Sequence, residues 1–413
     1  MPSSADSRAG TLDDLRRVIR RIETRNPFRV APEPPETVLG GQLVDTEAGP
    51  LLTVRRVFGL DHRHGHVPLD RAFGIAPEAL RVLARDEAIP DARRLLFLDT
   101  ETTGLAGGTG TYAFLVGAGF IEDDRLVIVQ HFMRDLDEEG PLLAALAPLL
   151  ARASAIVTFN GSGFDVPLLE TRFVLGRRRW PATLLHLDLM HPARRVWAAR
   201  FADCRLSTLE QEVLGHRREG DVPGSMIPSL YFDFLRRRRA GPLARVFRHN
   251  ADDVLSLIAL LGWLGHALTH GEHGVGDPFD LVGVARLWER FDPERAVGCY
   301  RAALAVGLPA PAAHAVRLRL ASWEKRWFRW DAACALWEEA ASAPSFDPRP
   351  WEELAKYHEH RARDAAAARG VVTAALDRAG AAGAAASIMS AFTYRLARLE
   401  RRLVRSPRRM IGR

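Results

Sequence analysis

Residues 95–104, Leu-Leu-Phe-Leu-Asp-Thr-Glu-Thr-Thr-Gly, end a compact apolar run with two acids two positions apart. Alternate residues of a strand share a face, so Asp99 and Glu101 project together from the end of a buried strand. Carboxylates so placed repel each other, and the arrangement persists where a divalent cation neutralises it. Oxygen ligands with open water positions suit Mg²⁺ or Mn²⁺.

Two further strings carry acids. Thr158-Phe-Asn160-Gly-Ser-Gly-Phe-Asp165 puts an acid after a second predicted strand, where a glycine-containing turn enters a helix. By itself Asp165 would serve equally as an N-cap. Arg248-His249-Asn250-Ala-Asp252-Asp253 opens a long apolar helix. His249 and Asp253, four apart, share one helical face, whereas Asp252 is turned about 100° away and is expected to face solvent.

The pattern around these strings predicts a mixed α/β sheet. Tyr112–Ile121 and Leu126–Met133 read as strands joined through Glu122-Asp123-Asp124, a hairpin signal. Glu139–Ala151 and Val166–Leu175 have helical spacing, with the strand Ala155–Asn160 between them. The first three strands leave no room for the crossovers of an all-parallel sheet. Residues 1–90 read as an N-terminal extension: a basic amphipathic stretch (Leu12–Ile22), a proline-rich break and a short strand over 51–58. Its His62, His64 and His66 alternate on one side of a possible strand and offer a second metal candidate.

Beyond Asp277 strands disappear. Small–large pairs four residues apart, Ala296/Tyr300, Ala333/Trp337 and Ala367/Val371, recur every 34–37 residues in an alanine-rich helical region. Over 278–400 this resembles tetratricopeptide repeats, which stack helix pairs and present a groove to a protein partner. Residues 401–413 form a basic tail.

DTETTG, NGSGFD and HNADDV, in this order and spacing, resemble the exonuclease motifs of the DnaQ-like, or DEDD, 3′–5′ exonucleases. His186-Leu-Asp188-Leu, Leu206-Ser-Thr-Leu-Glu210 and Asp221-Val-Pro-Gly224-Ser-Met-Ile-Pro228 resemble one branch, the YprB-type ribonuclease H-like proteins. The resemblance covers about residues 90–265 and implies an RNase H-like domain over 91–270: a mixed sheet flanked by helices, followed by the all-α repeats. It further implies a 3′–5′ exonuclease whose two Mg²⁺ or Mn²⁺ ions are held by Asp99, Glu101, Asp165 and Asp253. His249 would orient or deprotonate the attacking water. Histidine-type members place this residue five positions before the last acid and tyrosine-type members four; here a histidine stands at the four-residue spacing. Thr102, Thr103 and Gly104 would let the backbone approach a terminal nucleotide, with Leu105 wedged against its base and Asn160 beside it.

Two cations about 3.5–4 Å apart serve phosphodiester hydrolysis by acidifying the attacking water and stabilising the leaving alkoxide. The charge balance is compatible: net +6, with arginine far outnumbering the two lysines, Lys325 and Lys356, and arginine pairs readily with phosphate. The runs Arg177–Arg179 and Arg236–Arg239 read as solvated faces or phosphate tracks, and Trp180 and Trp197 as core or interface residues. The 47% hydrophobic content argues against wholesale disorder. Three widely separated cysteines exclude a disulfide framework and fit a reducing, cytoplasmic setting. The longest apolar stretch, Val254–Thr269, would rise only about 24 Å as a helix, and a buried helix is expected instead of a membrane span. The alternative is a nucleic-acid-binding or scaffold protein that has lost turnover and recruits partners through its repeats.

Overall fold

The computed structural model describes residues 33–85, 87–104 and 110–405. The chain divides into two compact units, one of residues up to 194 with 203–269, the other of 195–202 with 270 onward. The expectations for Leu12–Ile22, for Leu105 and for the tail beyond 405 lie outside the described residues.

The first unit is built on a seven-stranded mixed sheet of order β1-β2-β7-β6-β5-β8-β9. Its strands are β1 (Gln42–Thr46), β2 (Gly49–Phe58), β5 (Leu95–Thr102), β6 (Ala113–Glu122), β7 (Arg125–Phe132), β8 (Ala155–Thr158) and β9 (Leu185–Asp188). A two-stranded ribbon, β3 (Arg63–His64) and β4 (Val67–Pro68), stands apart from it. β5 pairs antiparallel with β6 and parallel with β8, and β8 is parallel to β9. The expected hairpin joins β6 to β7, and Asp123 and Asp124 turn it with φ of 48° and 54°. Positive φ at both central positions matches the right-handed twist of the flanking strands. The segment read as an extension supplies β1 and β2, and β2 pairs with β7, so the sheet of this unit begins well before residue 91.

The first eight residues of β6, from Ala113 to Phe120, are all buried, as a central strand requires. Against it lies the helix Leu243–His270. Gly117 and Gly119 permit this contact: a Cβ at Gly117 would fall 2.3 Å from Asn250 Oδ1, and one at Gly119 2.7 Å from Val254 Cγ1. By length and composition this helix is able to cross a membrane, but most of it is buried inside the fold. Its apolar surface is therefore accounted for by the core, where Val254, Leu257, Ile258 and Leu261 are almost fully enclosed.

The second unit is helical: Pro278–Trp288, Pro293–Val306, Ala310–Arg326, Trp330–Ala341, Pro348–His360, Ala365–Ala381 and Ala386–Arg405. Three of these helices start with Asp-Pro. Asp277, Asp292 and Asp347 accept bonds from first-turn amides, and the proline behind each has no amide to leave unsatisfied. Ala296/Tyr300 and Ala333/Trp337 are buried as the pairing predicts. In the third pair the fully buried residues are Ala368 and Val372, one position beyond the expected Ala367 and Val371. Trp180 packs edge-on to Phe173 and Trp197 is fully buried, as core residues.

A methyl group at Gly119 has to displace Val254 and Ile258. Gly119→Ala is expected to lower the stability of the sheet unit by about 1–3 kcal/mol, read as a shift of its urea-unfolding midpoint, while an unchanged midpoint would show that the helix does not press on β6 there.

Candidate active site

Because β5 and β8 are parallel neighbours, their C-terminal ends open on one edge of the sheet, where α/β folds place ligands. Asp99 sits opposite Gly117 and Glu101 opposite Leu115, and a register shift between Glu101 and Thr102 ends the strand. β8 stops at Thr158, and the chain turns through Asn160, which has a φ of 64°, into the helix Asp165–Leu175. Asp188, at the end of β9, pins this turn. It accepts bonds from the Asn160 amide (2.8 Å), the Ser162 amide and hydroxyl (3.1 and 2.6 Å) and the Met190 amide (3.0 Å). Burial pushes the Asp188 carboxyl up, but these bonds outweigh it and hold the group below its ordinary value. Asp188 is thus a structural clamp. Asp165 is not the helix cap: Phe164 holds that position without a side-chain bond, and the Asp165 carboxylate accepts the Thr100 hydroxyl proton instead.

The long helix brings the third group of residues. Asn250, fully buried, donates to Asp99 Oδ2 at 2.7 Å and to the Asp99 carbonyl at 3.2 Å. Gln130 on β7 fixes the amide by donating to Asn250 Oδ1 (2.9 Å) and to the Phe247 carbonyl (2.7 Å). One turn on, His249 Nε2 lies 3.4 Å from Asp253 Oδ2. Glu101, His249 and Asp253 each present a ligand atom within 4.8 Å of the others. Asp252, expected to face solvent, is half-buried; burial raises its carboxyl, and its charge reaches Arg56.

The four acids feel one another. Asp99 and Glu101 are raised well above the ordinary carboxylate range, first by burial and then by repulsion, from Asp253 and Asp165 in each case and from Asp99 in that of Glu101. Asp165 is raised to about 6, chiefly by burial, with the Thr100 bond opposing. Glu101 Oε1 is buried with no hydrogen-bond partner. Asp99, Glu101 and Asp165 line a cavity of about 600 Å³ together with Thr102, Gly104 and Asn160. Thr103 is turned away: its hydroxyl accepts the Tyr112 amide and ties the mouth of the β5–β6 pair. Buried carboxylates, an orphaned carboxylate oxygen and a neighbouring imidazole form a hard donor set that fits divalent cations of the Mg²⁺ or Mn²⁺ kind.

Arg218, Glu210 and Asp221 complete the surroundings without having been singled out in the sequence. Arg218 bridges Asp253 and Glu210 and lies 3.1 Å from His249 Nδ1. Burial disfavours its charge, but the carboxylates of Asp253 and Glu210 outweigh burial and hold it protonated. Glu210 also accepts the Ser256 hydroxyl. Asp221 Oδ1 is 2.8 Å from His249 Nδ1. Nδ1 thus lies between a carboxylate, which only accepts, and the Arg218 guanidinium, which only donates, while Nε2 faces Asp253. Glu210 and Asp221 lie inside the YprB-type stretches, which was the available signal; Arg218 had none.

The second metal candidate does not form. His64 is buried, lies 2.8 Å from Ser256 Oγ and stacks at 3.9 Å on His216; burial, then the neighbouring His216, lowers it to about 3. His62 and His66 are exposed. In the arginine runs, Arg178 pairs with Glu47, Arg236 with Asp233 and Arg238 with Asp135, the pattern of a solvated, ion-paired face.

Residues 96–265 match the family model of the RNase H superfamily, and the mixed sheet with flanking helices is consistent with an RNase H-like fold. The chain is also similar to "Uncharacterized protein YprB" of Bacillus subtilis (strain 168), 33% identical over 276 residues. That match takes in 65% of this chain and 66%, just under two thirds, of the relative's length.

An acid raised on folding is more favourable protonated, so its contribution to stability is present below the unfolded value and lost as pH rises to the folded one. For Asp165 that window runs from 3.8 to about 6. In chelator, Asp165→Asn is expected to stabilise the protein at neutral pH, by up to about 3 kcal/mol, and to leave it unchanged below the window. Thermal melts across pH check this, and a destabilised variant at neutral pH would contradict it. Arg218→Ala strands two buried carboxylates and should cost about 3–5 kcal/mol in the same melts.

Proposed function

We propose that residues 91–270 hydrolyse phosphodiester bonds as a 3′–5′ exonuclease, with Asp99, Glu101, Asp165 and Asp253 holding two Mg²⁺ or Mn²⁺ ions. The observation that carries this reading is a charge imbalance: four carboxylates from three separate segments lie close together, and the one arginine among the described residues that pairs with any of them, Arg218, is shared between Asp253 and Glu210. When bound, the ions supply the positive charge that acidifies water and stabilises the leaving oxygen.

The chain's own residues then have distinct tasks. Asp221 orients the His249 ring through Nδ1, and Nε2, on the side of Asp253, receives the proton of the attacking water. Asn250 and Gln130 fix the Asp99 carboxylate, and Thr100 fixes that of Asp165. Thr102, Gly104 and Asn160 line the cavity where a terminal nucleotide would lie. The substrate is a single-stranded 3′ end of DNA or RNA. The helices over 278–400 act as tetratricopeptide-like repeats that recruit a protein partner, and the setting is cytoplasmic.

The test uses purified full-length protein on single strands labelled at either end, with Mg²⁺ or Mn²⁺. Stepwise shortening from the 3′ end is expected. Asp99→Ala should abolish it, and His249→Ala should lower the rate by about 10²–10⁴ while metal binding, followed by calorimetry, persists. Undiminished activity in Asp99→Ala removes the metal-centred reading. Wild-type protein that binds but never cleaves would favour the scaffold alternative.

A further inference from the structure

We propose that the helical unit carries a binding platform for single-stranded nucleic acid, formed at the turn between the helices Ala310–Arg326 and Trp330–Ala341 and the end of Pro348–His360. The proposal draws on the nuclease reading only for its choice of occupant. The Trp330 and Tyr357 rings stack with centroids 5.8 Å apart and an angle of 29°, and the Phe328 ring meets Trp330 at 6.4 Å. The Arg361 guanidinium lies over both, 4.8 Å from the Trp330 centroid and 5.7 Å from that of Phe328. On the other side of the turn Arg329 lies 4.7 Å over Trp327, and Arg326 lies 4.6 Å over Trp323.

Two features set this surface apart from ordinary helix packing. Phe328 occupies the left-handed region, with φ 60°, directly after the residue that caps its helix. That position favours glycine, yet it carries an aromatic ring that is 69% exposed. Strain and exposure together are paid where a ring is presented to a ligand. The second feature is charge. Among the described residues Arg326 and Arg361 have no carboxylate partner, and Arg329 approaches only Glu294 and the buried Glu324, which also pairs with Arg301. Flat rings with guanidinium groups already ordered on their faces offer stacking to bases and paired donors to phosphates, the combination that binds single strands without regard to sequence.

The test measures binding of a labelled oligothymidylate to the full chain in EDTA, where cleavage is suppressed, and separately follows cleavage of a very short oligonucleotide in Mg²⁺. Phe328→Gly removes the ring and relaxes the backbone, so misfolding does not explain its effect. It is expected to weaken binding about five- to a hundredfold. Arg361→Ala should weaken it as well and lower the salt slope by about 0.7. An iodouracil-containing strand should cross-link to residues 323–330 or 357, and short-substrate cleavage should not change. Unaltered affinity in both variants, or cross-links confined to residues 91–270, overturns the platform even if wild type is a nuclease. Cleavage absent in the wild type with binding and cross-links as expected sinks the nuclease reading and leaves the platform standing. Poly-glutamate bound in place of the oligonucleotide, and lost in the variants, overturns it in favour of an acidic protein partner.

Discussion

Repulsion among Asp99, Glu101, Asp165 and Asp253 is the constraint around which the sheet unit is arranged. A buried charge without a partner costs several kcal/mol, and the fold meets that cost at the edge of the sheet where β5 and β8 end. Arg218 relieves Asp253, and Asn250 and Thr100 each give one hydrogen bond to an acid. Among the described residues nothing relieves Glu101 Oε1. The backbone around the acids is correspondingly overdetermined: three bonds to Asp188 hold one loop, and the Gln130–Asn250 pair locks helix to sheet. Residues that destabilise the fold yet are held so firmly are the signature of a site shaped for something other than stability.

Two pairs of the site were legible from local geometry, whereas Asp165 joins them only through the motif resemblance. Strand periodicity pairs Asp99 with Glu101, and helical periodicity pairs His249 with Asp253. The hairpin at Asp123-Asp124 was legible for the same reason, since adjacent strands and a turn leave little choice. What was missed depends on contacts distant in sequence. Arg218 and Asp221 meet the helix only because the segment after Gly215 folds back on it, and no periodicity encodes that. The pairing of β2 with β7 joins residues about seventy positions apart. Asp252 misled because a turn of 100° away from Asp253 was equated with solvent, whereas it lies within reach of Arg56's charge. The shift from Ala367/Val371 to Ala368/Val372 is a matter of helix rotation, which small residues on several faces leave undefined by pattern alone.

The spacing of the histidine finds its explanation in the same geometry. On a straight helix a residue four positions before another is displaced by about 40° around the axis, and one five positions before by about 140°. His249 therefore needs no bend to bring Nε2 to 3.4 Å from Asp253 Oδ2. What the four-residue spacing does not provide is an orientation for the ring, and here Asp221 enters from outside the helix to fix Nδ1. Arg218 lies against both the imidazole and Asp253, so the loop that carries Arg218 and Asp221 holds both side chains of the helix in place at once. A histidine at this spacing and a loop bearing both partners thus form one arrangement, and displacing the loop would free the imidazole ring without touching the helix that carries it.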